Sequence, residues 1–326
     1  MSTSNDNHGQ HTPGIKPEDV GKVAVLMGGL SKEREISLLS GGAVLDALNA
    51  SGVDAHGIDV GADVMTQLEQ GDYDRAFIIL HGRGGEDGEI QRQLEAIDLP
   101  YTGSGVTGSA QTMDKLKTKQ LWQALNLPTP AYAVLNSEDD CVKALETPGL
   151  PLIIKPVNEG SSLGMSKVNS AEELPEAWRM ASTFDDTVIA ERWIDGAEYT
   201  AAILGRDVLP LIRLETPREF YDYEAKYSAD STRYRCPCGL DTVVEAELQA
   251  LALKAFDCTG ASGWGRVDFM LDEEQNPWLI EVNTVPGMTD HSLVPMAAKA
   301  AGLSFEDLVL RILQSSFEQK LNKESA

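Results

Sequence analysis

The 326-residue chain predicts an α/β fold: an N-terminal parallel-sheet domain followed by two α+β modules. Three observations carry that expectation. A buried strand, a glycine turn and an amphipathic helix follow one another twice before residue 100. Near residue 105 the texture changes to short strands mixed with helices. After about residue 190 strands dominate until two closing helices.

The first unit is the apolar run Lys22 to Met27, which ends at Gly28-Gly29 and is followed by Ile36, Leu39, Ala43, Val44, Ala47 and Leu48 at helical spacing. The second is Arg75 to Leu80, then His81-Gly-Arg-Gly-Gly-Glu-Asp-Gly88 and a helix carrying Ile90, Leu94 and Ile97. Strands alternating with helices imply a parallel sheet covered on both faces. A helix is expected near Thr112 to Leu125, then strands at Ala131–Leu135, Leu152–Lys155 and Met165–Val168. Further strands are read at Thr187–Glu191, Tyr199–Leu204 and Val208–Arg213, a helix at Val243–Phe256, and a hairpin of Gly263–Leu271 with Trp278–Val282 around the turn Asp272 to Pro277. The closing helices start at His291 and Ser304. The expected division is a disordered tail over 1–20, an α/β domain over 21–104, a central subdomain over 105–190, a C-terminal domain over 191–320, and a short tail over 321–326.

Composition limits the function. The 27 Lys and Arg against 51 Asp and Glu give a net charge of −24, which repels nucleic-acid phosphates and anionic membranes. No apolar run approaches the roughly 18 residues of a membrane span, and the polar start lacks the basic and apolar segments of a secretory signal. Four cysteines without a framework fit a reducing cytoplasm. The Cys236-Pro-Cys238 pair has no second pair or nearby His, so zinc is not expected. In so acidic a chain, a local gathering of lysines points to a bound anion.

The chemistry-bearing motifs follow from residue type and spacing. On a strand, positions i and i+2 share a face, so Arg266 and Asp268 lie together, as do Glu281 and Asn283 on the paired strand. Two carboxylates and an amide oxygen form a hard donor set of the kind Mg²⁺ takes alongside nucleotide phosphates; the other reading is the polar face of an exposed hairpin. Lys155 ends a strand that runs into Pro156 to Gly164, where small residues admit phosphate oxygens to backbone amides, although an ordinary flexible turn fits equally. Lys115 begins a helix whose Lys115, Lys117 and Lys119 are read as falling on different faces, a pattern that also suits a solvated surface. Glu191 to Glu198 fits either an adenine and ribose site or an acidic turn. The aromatic Phe220 to Tyr227 segment fits a lid that excludes water, or tyrosines packed on a surface loop.

Together and in this order, the motifs resemble the D-alanine:D-alanine ligase family of the ATP-grasp superfamily over about residues 22–315. The most specific stretches are Gly28-Gly29 with Ser31 to Ser37, Leu80 to Gly88, Tyr221 to Tyr227, Gly263 to Asp268, and Glu281 to Met288 running into His291 to Met296.

The resemblance implies the three-module ATP-grasp architecture enclosing ATP. It also implies a cytoplasmic homodimer that makes D-alanyl-D-alanine through a D-alanyl phosphate, for peptidoglycan and cell shape. It assigns two Mg²⁺ ions, or Mn²⁺ in their place, to Asp268, Glu281 and Asn283. Lys115, Lys155 and Lys226 fall to the phosphates, Glu191 and Trp193 to adenine, and Glu198 to ribose. Glu33 with Ser161 and Tyr227 forms a hydrogen-bonded set at the first D-alanine, with His81 nearby. Arg266 and the Gly287 amide stabilise the oxyanion, and Ser292 with Leu293 meets the second D-alanine. A tyrosine at 227 goes with the dipeptide in this family and a phenylalanine with D-alanyl-D-lactate, so a D-lactate or other ATP-grasp carboxylate ligase is the alternative. A dehydrogenase lacks its full glycine fingerprint here, and a regulator without turnover is disfavoured because no expected ligand is replaced. Val285 and Arg192 depart from the serine and lysine common in relatives.

Overall fold

The structure is a computed structural model describing residues 16–215 and 232–324. Its first layer is a three-stranded parallel sheet of order β2-β1-β3, formed by β1 (Lys22–Gly28), β2 (Asp54–Val60) and β3 (Arg75–Ile78). Helices α1 (Arg34–Ala50), α2 (Val64–Gly71) and α3 (Glu89–Ala96) connect and follow these strands. Strand β2 escapes the sequence reading because it is an edge strand whose only buried residues are Ala55 and Ile58. With one partner and little buried surface, it carries no continuous apolar signal.

The helix expected near Thr112 to Leu125 is two helices, α4 (Val106–Met113) and α5 (Lys115–Ala124). Asp114 sits between them in extended conformation, its side chain accepting from the Lys117 amide and so capping α5.

A four-stranded antiparallel sheet of order β4-β7-β5-β6 follows, with β4 (Tyr132–Leu135), β5 (Leu152–Pro156), β6 (Ser166–Val168) and β7 (Val188–Arg192). Helices α6 (Cys141–Glu146) and α7 (Leu174–Ser182) close its own apolar core around Leu135, Leu152, Ile154 and Val188.

The third sheet runs β11-β10-β8-β12-β13, with β9 (Asp207–Val208) against β8 (Gly196–Leu204). Strands β10 (Ile212–Glu215) and β11 (Arg233–Arg235) form one side, and β12 (Trp264–Asp272) and β13 (Pro277–Asn283) the other. The single strand expected over Val208–Arg213 is split, and Pro210, which has no amide to give a ladder, lies in the gap. Helix α8 (Thr242–Asp257) packs below this sheet through Leu248, Ala252, Ala255 and Phe256.

Helices α9 (Leu293–Ala300) and α10 (Phe305–Glu324) return to the first sheet. Leu308, Val309, Ile312 and Leu313 share one core with Val23 to Leu26 and Phe77 to Leu80, and Arg75 donates to the Ser316 hydroxyl at 3.0 Å. The chain's end therefore seals its beginning. The segment joining β13 to α9 must as a result run past the loop that follows β3.

Candidate active site

The hairpin β12–β13 places the expected donor set. Across the antiparallel pair Arg266 stands opposite Asn283 and Asp268 opposite Glu281, so all four side chains share one face. A bulge follows Asp268, where the register moves from Glu281 to Leu279, a device that re-aims side chains beside a site.

Asp268 is buried, and both oxygens of its carboxylate are hydrogen-bonded. Oδ1 accepts from Thr200 Oγ1 at 2.5 Å and from Arg266 Nε at 2.8 Å, while Oδ2 accepts from Arg266 at 2.8 Å and Asn283 Nδ2 at 3.0 Å. Thr200, on neighbouring β8, was invisible to motif reading because its place beside Asp268 exists only through strand pairing. The half-buried Glu281 has Oε2 3.6 Å from Lys115 Nζ, which also donates to the Glu159 carbonyl at 2.5 Å. Two carboxylates and an amide oxygen on one face, with no imidazole or thiolate among them, fit a hard divalent cation. Among the described residues no cluster of three His, Cys, Asp or Glu side chains is able to hold a metal. The asparagine is what makes this donor set complete.

A cavity of about 730 Å³ opens on one side of the hairpin, lined by Lys115, Lys155, Glu191, Trp193, Glu198 and Glu281. The three lysines of α5 do not fall on three different faces. Lys115 and Lys119 are one turn apart, both are buried and both face inward, whereas Lys117 is exposed and pairs with Asp114 at 3.1 Å.

In the cavity wall, Glu191 lies between two ammonium groups, with Lys155 3.0 Å from Oε1 and Lys119 2.8 Å from Oε2. Burial alone raises the Glu191 carboxyl, but Lys119 and Lys155 outweigh it and hold the group below the ordinary carboxylate range. Burial pushes Lys119 down to about 8, against the opposite pull of Glu191. Trp193 donates to Asp195 at 2.7 Å, and the Lys167 ammonium stands 4.2 Å from its ring centroid.

A second cavity, of about 470 Å³, is lined by Glu33, His81, Glu86, Ser161, Arg266, Asn283, Gly287, Ser292 and Leu293 among others. Glu33 stands just before the first turn of α1, and its carboxylate accepts from the Ser161 hydroxyl, joining the first module to the glycine loop. A Cβ at Gly82 would stand 2.7 Å from Glu33 Oε2 and one at Gly160 3.2 Å from it, so both loops come close to this carboxylate, and Gly82, at φ +70°, holds a conformation that favours glycine. Gly287 is similarly tight, since its Cβ would meet Ser292 Oγ at 2.9 Å. Ser292 accepts from the Thr289 amide at 2.9 Å, and the Leu293 side chain is packed in the core. Only backbone at Leu293 faces a ligand on this reading. Val285 is buried in the same core.

The residue that sequence reading missed here is Glu86. It accepts from the amide of Gly82 at 2.8 Å and from that of Val285 at 3.1 Å. Burial, reinforced by the nearby Glu33, raises its carboxyl to about 8. Its signal in the sequence is its place within Leu80 to Gly88, the motif that also holds His81. Lys226 and Tyr227, with the expected lid, lie outside the described residues.

Family models described as D-ala D-ala ligase N-terminus and C-terminus match residues 61–104 and 121–314. The chain is 63% identical over 301 residues to the D-alanine–D-alanine ligase of Nitrosococcus oceani, covering 92% of this chain and 95% of that one. It is 59% identical over 311 residues to that of Pseudomonas fluorescens, covering 95% and 96%. The crystal structure of D-alanine–D-alanine ligase from Bacillus anthracis superposes with a TM-score of 0.82 at 31% identity, covering 94% of this chain and all of that one. Its complex with ATP gives 0.82 at 29%, with the same coverage. With family models spanning most of the chain, and relatives this similar over nearly all of it, the chain belongs to the D-alanine–D-alanine ligase family.

Proposed function

We propose that this protein joins two D-alanine molecules into D-alanyl-D-alanine for peptidoglycan precursors, using ATP and releasing ADP and phosphate. The carrying observation is that one strand serves two cavities. On β13, Glu281 lines the larger cavity and Asn283 the smaller. A lysine-bearing cleft and a smaller chamber therefore share the hairpin as a wall, where a phosphoryl group can pass from one to the other over a short distance.

In this reading Lys115 and Lys155, joined by Lys226, hold the phosphates. Glu191 contributes through its backbone, because its carboxylate is taken by two lysines, and Trp193 stands beside the adenine with Glu198 at the ribose. Asp268, Glu281 and Asn283 would hold two Mg²⁺ ions, or Mn²⁺ in their place, which supply neutralisation of charge on the transferred group.

Glu33 binds the ammonium of the first D-alanine, supported by Ser161 and Tyr227, with His81 near this subsite. The carboxylate of that D-alanine attacks the γ-phosphorus and ADP departs. The neutral amine of the second D-alanine, its carboxylate held by Ser292 and the Leu293 amide, then attacks the acyl carbon. Arg266 and the Gly287 amide stabilise the oxyanion before phosphate is expelled. Segments 21–104, 105–190 and 191–320 act as the three modules, and the enzyme works as a cytoplasmic homodimer.

The test is phosphate release from ATP with D-alanine or L-alanine, with products identified by mass spectrometry in the presence of D-lactate. Dipeptide formation with D-alanine alone is expected. Equal rates with both enantiomers, or none with either, would sink the reading.

A further inference from the structure

Lys119 takes no part in the chemistry described above, yet it is among the largest fully buried side chains. A buried ammonium is costly unless it is paired and hydrogen-bonded, and this one is both. Besides Glu191, its Nζ donates to Thr129 Oγ1 at 2.7 Å, and the Thr129 hydroxyl in turn donates to the Leu279 carbonyl at 3.0 Å. Leu279 belongs to β13, two positions before Glu281. A continuous polar chain therefore runs from the metal-facing strand through Thr129, Lys119 and Glu191 to Lys155.

Position decides what Lys119 does in that chain. Lys155 and Glu191 line the larger cavity and Lys119 does not. Glu191 divides its two oxygens, one to each lysine. If Lys119 is removed, both oxygens become available to Lys155, which is then drawn into the wall as half of a neutral pair. With Lys119 in place, two ammonium groups face one carboxylate, and the wall keeps a net positive charge toward the cavity.

We propose that Lys119, tethered by Thr129, is a positioning residue for the nucleotide: it fixes Glu191 so that Lys155 keeps both its place and its charge toward the triphosphate. This rests on the ATP-dependent reading above. The two fail separately, because wild-type protein without ATP-dependent ligation defeats that reading before any variant is made.

The experiment compares wild type, Lys119→Met, Lys155→Met and the double variant, by steady-state kinetics and by calorimetric titration with Mg²⁺-ADP. For Lys119→Met the expected result is a rise of about tenfold in KM for ATP, with KM for D-alanine within about twofold. ADP affinity should fall in parallel. In the Lys155→Met background the Lys119 change should weaken ADP binding by less than about twofold, because a residue acting through Lys155 has nothing left to act on. Equal rises in both KM values, or full multiplicative effects in the double variant, overturn the proposal in favour of a purely structural lysine. If Lys119→Met does not fold, Thr129→Val keeps the ion pair and removes the tether. It should raise KM for ATP about threefold with KM for D-alanine unchanged, and an unaltered KM for ATP overturns the proposal.

Discussion

His81 and Val285, 204 positions apart in the chain, meet through a 2.8 Å hydrogen bond from His81 Nδ1 to the Val285 carbonyl. A carbonyl only accepts, so Nδ1 carries the proton and Nε2, 3.3 Å from Ser40 Oγ, is the acceptor. Ser40 Oγ accepts in turn from the Met288 amide at 3.1 Å. Burial is the main cause that lowers the His81 pKa, which agrees with a neutral ring. The amide of Val285 goes to Glu86, so the two peptide units that flank the Val285 Cα are each held by the loop after β3. Val285 precedes Gly287 by two residues, so these bonds restrain the backbone that leads to the Gly287 amide.

His81→Ala should therefore cost stability and catalysis together. Leaving the buried Val285 carbonyl unpaired costs about 1–3 kcal/mol, measurable by urea denaturation. A drop in kcat/KM of about 100-fold is expected from the displaced loop. Normal kcat/KM in a destabilised variant would show that the grip serves folding alone.

Glu86 makes stability depend on pH in a predictable direction. Its folded pKa of about 8 lies above the ordinary 4.5, so the native state binds the extra proton. The stability it contributes is fully present below pH 4.5 and is lost as pH rises through about 8. Glu86→Gln, which cannot ionise, should flatten this part of the profile in denaturation experiments between pH 5 and 8. A slope equal to that of wild type would exclude Glu86 as its source.

Glu281→Gln retains the shape of the side chain and removes its charge. Turnover should fall by about 100-fold, and the Mg²⁺ concentration for half-maximal rate should rise. Near-normal Mg²⁺-dependent kinetics would remove Glu281 from the metal site.

Arg266 forms a two-point contact with Asp268 through Nε and a terminal nitrogen, both at 2.8 Å. Lysine keeps the charge but not the fork, so Arg266→Lys should lower kcat by about 10²- to 10³-fold, as expected for the loss of an oxyanion donor. A change confined to KM would reassign Arg266 to substrate binding.

The site was legible wherever chemistry and spacing coincide within one segment. Arg266 with Asp268, and Glu281 with Asn283, are i, i+2 pairs on strands, and the alternation of a strand places them on one face without knowledge of the rest. Lys155 and its glycine loop are also local. Thr200, Glu86 and Lys119 were not legible as site residues, because each acquires its role from a partner more than 60 positions away, at Asp268, Val285 and Glu191 respectively. A threonine on a strand, an acid in a loop and a lysine on a helix have unremarkable types and spacings of their own.

By itself, the sequence determined the alternating parallel-sheet start, the donor hairpin and the family to which the motifs belong. Those properties rest on periodicity and on residue type along short stretches. Tertiary structure alone decided that Lys119 is buried behind Glu191, that α10 closes on the first sheet, and that Glu86 and His81 hold the peptide at Val285. Each is a contact between segments far apart in the chain. Such contacts take water from both partners at once, which favours the apolar ones and costs the polar ones what only their pairing offsets, and neither partner's local sequence records that event.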